Sequence, residues 1–230
     1  MTKRHPLLAA PFLIYTALTA SAIAALMMWG DESIARWFRP RRNTDWADFF
    51  AAITDFASGW LWYSVALTGL AGAYIRHRSQ QMPLGSSAFA VRKRAWIFMI
   101  VAMASSGITE VVMKFVIGRD RPRFLFEDSG ASFHPFRMNT GDSSFPSGHA
   151  QSITSAMLAL ALIYPPLRPL FLVTAALIAA SRVIIGAHYV SDVLGGVWLA
   201  VAAVIYWRHR FEANGEKLDL TLVRARESAP

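Results

Sequence analysis

Three short polar strings interrupt an otherwise hydrophobic chain: 114–122 (KFVIGRDRP), 146–149 (PSGH) and 181–192 (SRVIIGAHYVSD). Between them they hold the cations Lys114, Arg121 and Arg182, the histidines His149 and His188, and the carboxylate Asp192. A phosphomonoester carries about −1.5 to −2 charges and three acceptor oxygens, so a site for one needs several cations and directed donors. Lys114, Arg121 and Arg182 supply the charge. Ser147 and the backbone amides of Ser147, Gly148 and His149 add donors at the start of a helix, where glycine admits close backbone approach and the helix N-terminus favours an anion.

The remaining groups suit covalent transfer. A neutral imidazole can present a lone pair to phosphorus, and a carboxylate on its other ring nitrogen fixes the tautomer and stabilises the cation that forms. His188 and Asp192 are four residues apart, so they share a face if a helix begins before His188. On this reading His188 attacks. His149 protonates the leaving alkoxide and then activates water against a phosphohistidine, while Arg121 and Arg182 stabilise charge on the equatorial oxygens.

The elements that must position these residues are membrane helices. The 230 residues are 54% hydrophobic and 17% charged, with a mean hydropathy of +0.34, which is the composition of a membrane protein. Segment 7–29 lacks charge and as a helix spans roughly 34 Å, enough for a hydrocarbon core of about 30 Å. It exceeds the usual apolar run of a signal peptide, so an uncleaved span is expected in spite of the Ala20-Ser21-Ala22 cleavage-like triplet. Further spans are expected at 56–75, 95–118, 150–164, 170–186 and 191–207, giving an all-α bundle of six transmembrane helices in a single membrane-embedded domain, 1–230. Between the first two, 31–55 mixes Trp37, Phe38, Trp46, Phe49, Phe50 and Ile53 with charges. That pattern fits either an amphipathic helix on the membrane surface or a polar loop with buried aromatics. Pro165, Pro166 and Pro169 force a tight turn, and 208–230 is a polar tail expected to be of low order.

Short-loop charges set the orientation. Lys3, Arg4, Arg76, Arg78, Arg92, Lys93, Arg94, Arg168, Arg208, Arg210, Lys217, Arg224 and Arg226 fall on one side in the expected topology, which favours both termini in the cytoplasm and the three strings together on the outward face. Arg36, Arg39, Arg41 and Arg42 fall on the opposite side, gripping anionic headgroups or snorkelling. A formal charge of +8 spread over membrane-flanking loops points to anionic lipid and away from nucleic acid. Without cysteine, disulfides and thiolate catalysis are excluded.

In order and internal spacing the three strings resemble the three-part signature of the type 2 phosphatidic acid phosphatase (PAP2) superfamily. The positions that carry the resemblance are Lys114, Arg121, Pro122, Pro146, Ser147, Gly148, His149, Ser181, Arg182, His188 and Asp192. The six-helix layout looks like its integral-membrane lipid phosphatases. The resemblance implies a phosphatase that uses no metal and no cofactor, with His149 as the acid and His188 as the nucleophile; the choice between the two histidines leans on it. The expected substrate is a phosphorylated envelope lipid: phosphatidic acid, phosphatidylglycerol phosphate, lipid A or undecaprenyl diphosphate, with a glycerophospholipid or lipid A favoured. The expected location is a bacterial inner membrane with the site facing the periplasm. A lipid phosphotransferase and a non-catalytic anion-binding protein are the alternatives, and the oligomeric state stays open. Around the signature, Glu110 is expected to pair with Lys114. His134 reads as structural or as a substrate contact, and Arg119, Arg123 and Arg137 as steering or merely exposed. Trp29, Trp60, Trp62, Trp96 and Trp207 read as an interfacial belt.

Overall fold

The computed structural model of the chain describes residues 5–42, 44–79, 87–127, 132–213 and 217–221. Eight α-helices follow one another: α1 Ala10–Ala25, α2 Asp31–Phe38, α3 Asp45–Thr54, α4 Gly59–Ser79, α5 Ser87–Ile117, α6 Gly148–Ile163, α7 Arg168–Ile184 and α8 Val190–Phe211. Among the described residues there is no β-strand, only isolated bridges joining Arg119 to Phe133 and Asp120 to Ser143. The expected all-α bundle is therefore present, and all six expected spans are helical. The continuous helical stretch Ala10–Arg41, together with Ala88–Ile117, Pro165–Ile184 and Val190–Phe211, is long and apolar enough to cross a membrane. The helix α6 is shorter, with 16 residues.

The shortest of these helices is the axis of the bundle. α6 packs against α5, α7 and α8. Ile153, Ala156, Met157, Ala159 and Ile163 along it are buried, which is why its second half, 156–163, reads as continuously apolar. Small residues let its neighbours approach: a side chain at Gly196 of α8 would meet the Ser147 carbonyl at 2.4 Å. Three of the polar side chains inside the bundle satisfy one another, Gln151 Nε2 donating to Ser106 Oγ at 2.6 Å and Ser106 Oγ lying 3.0 Å from Ser155 Oγ. Leu13, Ile14, Leu18, Leu67, Val111, Leu172, Val173 and Leu177 point outward, the apolar girdle that a bilayer requires.

Segment 31–55 is helical with outward aromatics, as the amphipathic reading expects, but it is broken in two and packs one side on the bundle. It is two helices. α2 continues α1 through a π-turn at Leu26–Gly30, and α3 folds back onto α7. Trp37, Trp46 and Phe49 face outward as an interfacial helix would have them, while Ala35, Ala47 and Thr54 are buried against the bundle.

Two further expectations change. The tail is ordered where it is described: Leu218 and Leu220 insert into the main core, and the Leu220 amide donates to the Ile163 carbonyl at 2.9 Å. Residues 214–216 and 222–230 of that tail lie outside the described residues. Of the tryptophans, Trp29 and Trp60 are exposed as a belt requires, but Trp96 is core. Its ring lies against Gly69, where a side chain would come within 2.2 Å of it.

Candidate active site

Each polar string sits at a helix boundary at one end of the bundle. The first ends α5. Lys114 lies on the last turn, and Gly118 closes the helix with a left-handed φ of +59° and its amide on the Lys114 carbonyl at 2.9 Å. No side chain fits at Gly118, since one would stand 1.7 Å from the His134 carbonyl oxygen. The second string starts α6. Ser147 is the N-cap, its hydroxyl accepting from the Ala150 amide at 3.4 Å and its own amide donating to the Asp192 carbonyl at 2.9 Å. The Ser147 amide, expected to hold phosphate, is thus committed elsewhere, leaving its hydroxyl proton and the amides of Gly148 and His149 for a ligand.

The third string ends α7 and starts α8. Contrary to the helical spacing argument, α8 begins at Val190, so His188 precedes it. The pair is assembled by a turn instead: the amides of Ala187 and His188 both donate to the Arg182 carbonyl, at 2.9 and 3.1 Å, and Gly186 takes a φ of +69°. The Tyr189 amide then donates to Asp192 Oδ2 at 2.8 Å.

His188 and Asp192 are both buried, but the carboxylate does not bond the ring directly. His188 Nδ1 and Asp192 Oδ2 are 3.7 Å apart, and Ser144 Oγ bridges them. It lies 3.2 Å from Nδ1 and donates a short hydrogen bond to Oδ2. Because the hydroxyl proton goes to the carboxylate, the hydroxyl lone pair is what Nδ1 meets. That arrangement favours the Nδ1–H tautomer and leaves the lone pair on Nε2. Burial lowers the His188 imidazolium from its usual 6.5 to about 4 despite the pull of Asp192, so the ring is neutral at neutral pH.

The cations divide into two sets. Lys114 is paired with Glu110 at 2.7 Å, as expected, and the Glu110 oxygen occupies the place where a side chain on Gly148 would sit, 2.6 Å from it. Arg137 pairs with Asp120 at 2.8 Å, and Arg123 pairs with Asp142. Arg119 is neither a steering residue nor exposed. It is buried between Asp31 and Asp192, at 2.9 and 2.8 Å, with Tyr189 stacked 4.2 Å from its guanidinium.

Arg121 and Arg182 are different. Arg182 is 7% exposed, and its only side-chain partner among the described residues is the Thr54 hydroxyl, at 2.7 Å. Arg121 makes no side-chain hydrogen bond or ion pair among the described residues, and its Nε is buried. Burial, reinforced by Arg123, lowers its proton affinity. Two guanidiniums withdrawn from water without an ion-pair carboxylate are the kind of charge that a multivalent oxyanion complements. His149 lies within electrostatic reach of Arg182, His188, Lys114 and Arg121.

Sequence reasoning missed Ser144, Asp31 and Thr54. None belongs to a string: Ser144 lies two residues before PSGH, and the other two come from segment 31–55. That segment also clasps the third string, with Arg42 Nη2 donating to the Gly186 carbonyl at 3.3 Å. Asp31 carried the one available signal, a carboxylate placed directly after an apolar span. His134 is bound to Ser132 Oγ at 2.9 Å and to Asp120 Oδ2 at 3.2 Å, which supports a structural role for it.

Cations without ion-pair partners among the described residues and two histidines, gathered at one end of a bundle of apolar helices, fit an integral-membrane phosphatase as the class. The chain belongs to the PAP2 superfamily, whose profile matches residues 95–216. It is 30% identical over 203 residues to a lipid A 1-phosphatase from Rhizobium etli, covering 83% of each chain. It is also 33% identical over 116 residues to a decaprenylphosphoryl-5-phosphoribose phosphatase from Mycolicibacterium smegmatis, covering 49% of this chain and 58% of that one. In fold it resembles a transmembrane PAP2-type phosphatidylglycerolphosphate phosphatase from Bacillus subtilis, with a TM-score of 0.61 at 21% identity over 94% of this chain and 98% of that one.

Proposed function

We propose that this membrane lipid phosphatase removes a terminal phosphate through a phosphohistidine on His188. Arg121, Arg182 and Lys114 hold the phosphate oxygens with the amides of Gly148 and His149. His188 Nε2 attacks phosphorus as the bond to the lipid oxygen breaks, and His149 gives its proton to that oxygen. His149 then takes a proton from water, which attacks phosphorus and releases inorganic phosphate and free His188. The observation that carries the reading is the pair of guanidiniums, Arg182 buried and Arg121 half-buried, that make no ion pair among the described residues and lie beside a neutral His188.

A groove of about 580 Å³ supports a lipid substrate. It runs between α4, α5 and α6, is lined by Tyr63, Gly107, Ile108 and Val111, and ends at Glu110 and His149. An acyl chain lying in it would leave its headgroup phosphate at the cations. The similarity to a lipid A 1-phosphatase over most of both chains makes the 1-phosphate of lipid A the leading substrate, in a bacterial inner membrane. Basic residues near the termini, such as Arg76, Arg78, Arg208 and Arg210, favour cytoplasmic termini and a periplasmic site. The test is phosphate release by purified protein from lipid A, phosphatidic acid, phosphatidylglycerol phosphate and undecaprenyl diphosphate. Turnover should be fastest on lipid A, blocked by orthovanadate, and abolished in His188→Ala. An active His188→Ala protein would sink the mechanism, and a faster rate on another lipid would sink the substrate assignment.

A further inference from the structure

We propose that Asp31, at the start of α2, is a positioning residue for His188, acting through Arg119 and Asp192. The inference rests on the phosphohistidine reading above and deepens it. Asp31 is 2% exposed. Its Oδ2 meets Arg119 Nη2 at 2.9 Å, its Oδ1 accepts from the Ser191 amide at 3.1 Å, and the Ser191 hydroxyl donates to it as well. Arg119 passes the connection on through Nη1, which donates to Asp192 Oδ1 at 2.8 Å and to Ser191 Oγ at 2.6 Å. The other oxygen of Asp192 holds Ser144, and Ser144 holds the His188 ring. A carboxylate from the end of the first span is thereby connected to Nδ1 of the attacking ring through three charge-assisted contacts and one hydroxyl.

The charge arrangement says what the connection does. Arg119 is shared between two carboxylates. With Asp31 in place, only part of its pull falls on Asp192, which keeps enough negative charge to polarise Ser144 and to stabilise the imidazolium that develops during attack. Without Asp31, the guanidinium pairs fully with Asp192 and is free to shift toward it, weakening the hold on Ser144 and on the His188 tautomer. Stability alone does not call for this cluster. Burying three charges costs several kcal/mol per ion before pairing, and well-packed apolar residues commonly serve a fold as well or better. The phosphate-binding cations make no hydrogen bond or ion pair with it, since Lys114 pairs with Glu110, Arg182 rests on Thr54, and Arg121 has no side-chain hydrogen bond or ion pair among the described residues.

That separation supplies the test. Asp31→Asn should lower kcat by about 10- to 100-fold, the usual cost of removing a group that orients a reacting side chain, while KM for the lipid and the inhibition constant for orthovanadate stay within about twofold. Asp31→Glu should recover part of kcat, and Ser191→Ala should show a smaller loss of the same kind. If Asp31→Asn does not fold in detergent, the other two variants carry the same criterion. A kcat within about twofold of wild type, or a parallel loss of kcat and vanadate binding, would overturn the proposal. His188→Ala in the same assay keeps the two claims apart. If it is inactive while Asp31→Asn is normal, only the positioning role fails; if it is active, the mechanism beneath it fails.

Discussion

Arg182→Met should leave the empty protein as stable as wild type, or more so, while nearly abolishing phosphate recognition. The guanidinium is buried, repelled by Arg121 and only weakly offset by Asp55, and its one side-chain hydrogen-bond partner among the described residues is a neutral hydroxyl. Removing it forfeits one hydrogen bond, worth about 1 kcal/mol net. Thr54 is not orphaned, because the Ser181 hydroxyl still donates to it at 2.9 Å. Methionine refills most of the volume, and both the repulsion from Arg121 and the cost of burying the charge disappear. These gains offset the lost bond, so the thermal midpoint in detergent should move by no more than about 2–4 °C in either direction. Binding should respond in the opposite sense. A guanidinium on a phosphate contributes hydrogen bonds of about 1.5–3 kcal/mol each, so losing a two-bond contact weakens orthovanadate inhibition by roughly 10²- to 10⁴-fold. The assay is thermal unfolding of purified wild type and variant, with and without vanadate, beside vanadate inhibition of lipid dephosphorylation. A variant that melts many degrees lower without ligand would show that Arg182 is a structural cation. One that keeps wild-type vanadate sensitivity would show that it does not hold the anion.

Arg119 supplies the contrast: Arg119→Met strands Asp31 and Asp192 as buried, unpaired carboxylates and should destabilise the protein by about 3–5 kcal/mol, visible as a large drop in thermal midpoint. For pH, burial sets His188 at about 4 in the folded protein against 6.5 when unfolded, so its contribution to stability is present above pH 6.5 and is lost as pH falls through 4. Wild-type stability should therefore decline more steeply over that window than that of His188→Asn; parallel curves would refute the assignment. Gly196→Ala puts a methyl 2.4 Å from the Ser147 carbonyl and should destabilise by about 1–3 kcal/mol as α8 is pushed off the start of α6. Gly72→Ala meets nothing within 4 Å on α4 and should be neutral or stabilising by up to about 1 kcal/mol, a comparison made by unfolding both in the same detergent.

Most of the bundle was legible because membrane helices are encoded locally. A run of some twenty apolar residues has few alternatives in hydrocarbon, and the structure displaces the expected ends by only a few residues in most cases. The exceptions have physical causes. Segment 31–55 looked interfacial because its aromatics do face outward, but Ala35, Ala47 and Thr54 supply a small-residue side that packs inward. Leu218 and Leu220 are two apolar residues in a polar tail, too few for any periodic signal, and they are buried in the main core beside a backbone hydrogen bond to the Ile163 carbonyl that no local pattern encodes. Trp96 was placed at the interface by its residue type, whereas the gap at Gly69 decides that its ring is core.

For the site, the residue types and spacing of the three strings were enough to name the chemistry, because a phosphate demands cations, donors and an imidazole whatever the fold. Which cations are free to meet that demand was decided by tertiary structure. Arg119 and Arg121 stand two residues apart in one string, and nothing local marks Arg119 as structural, yet Arg119 is consumed by Asp31 and Asp192 while Arg121, half-buried, makes no side-chain hydrogen bond or ion pair among the described residues. Ser144 and Asp31 likewise gain meaning only when α2, the loop before α6 and the start of α8 converge. The reason is that charge is neutralised by whatever lies within a few ångströms, and in this chain the neutralising carboxylate lies 88 residues away in sequence.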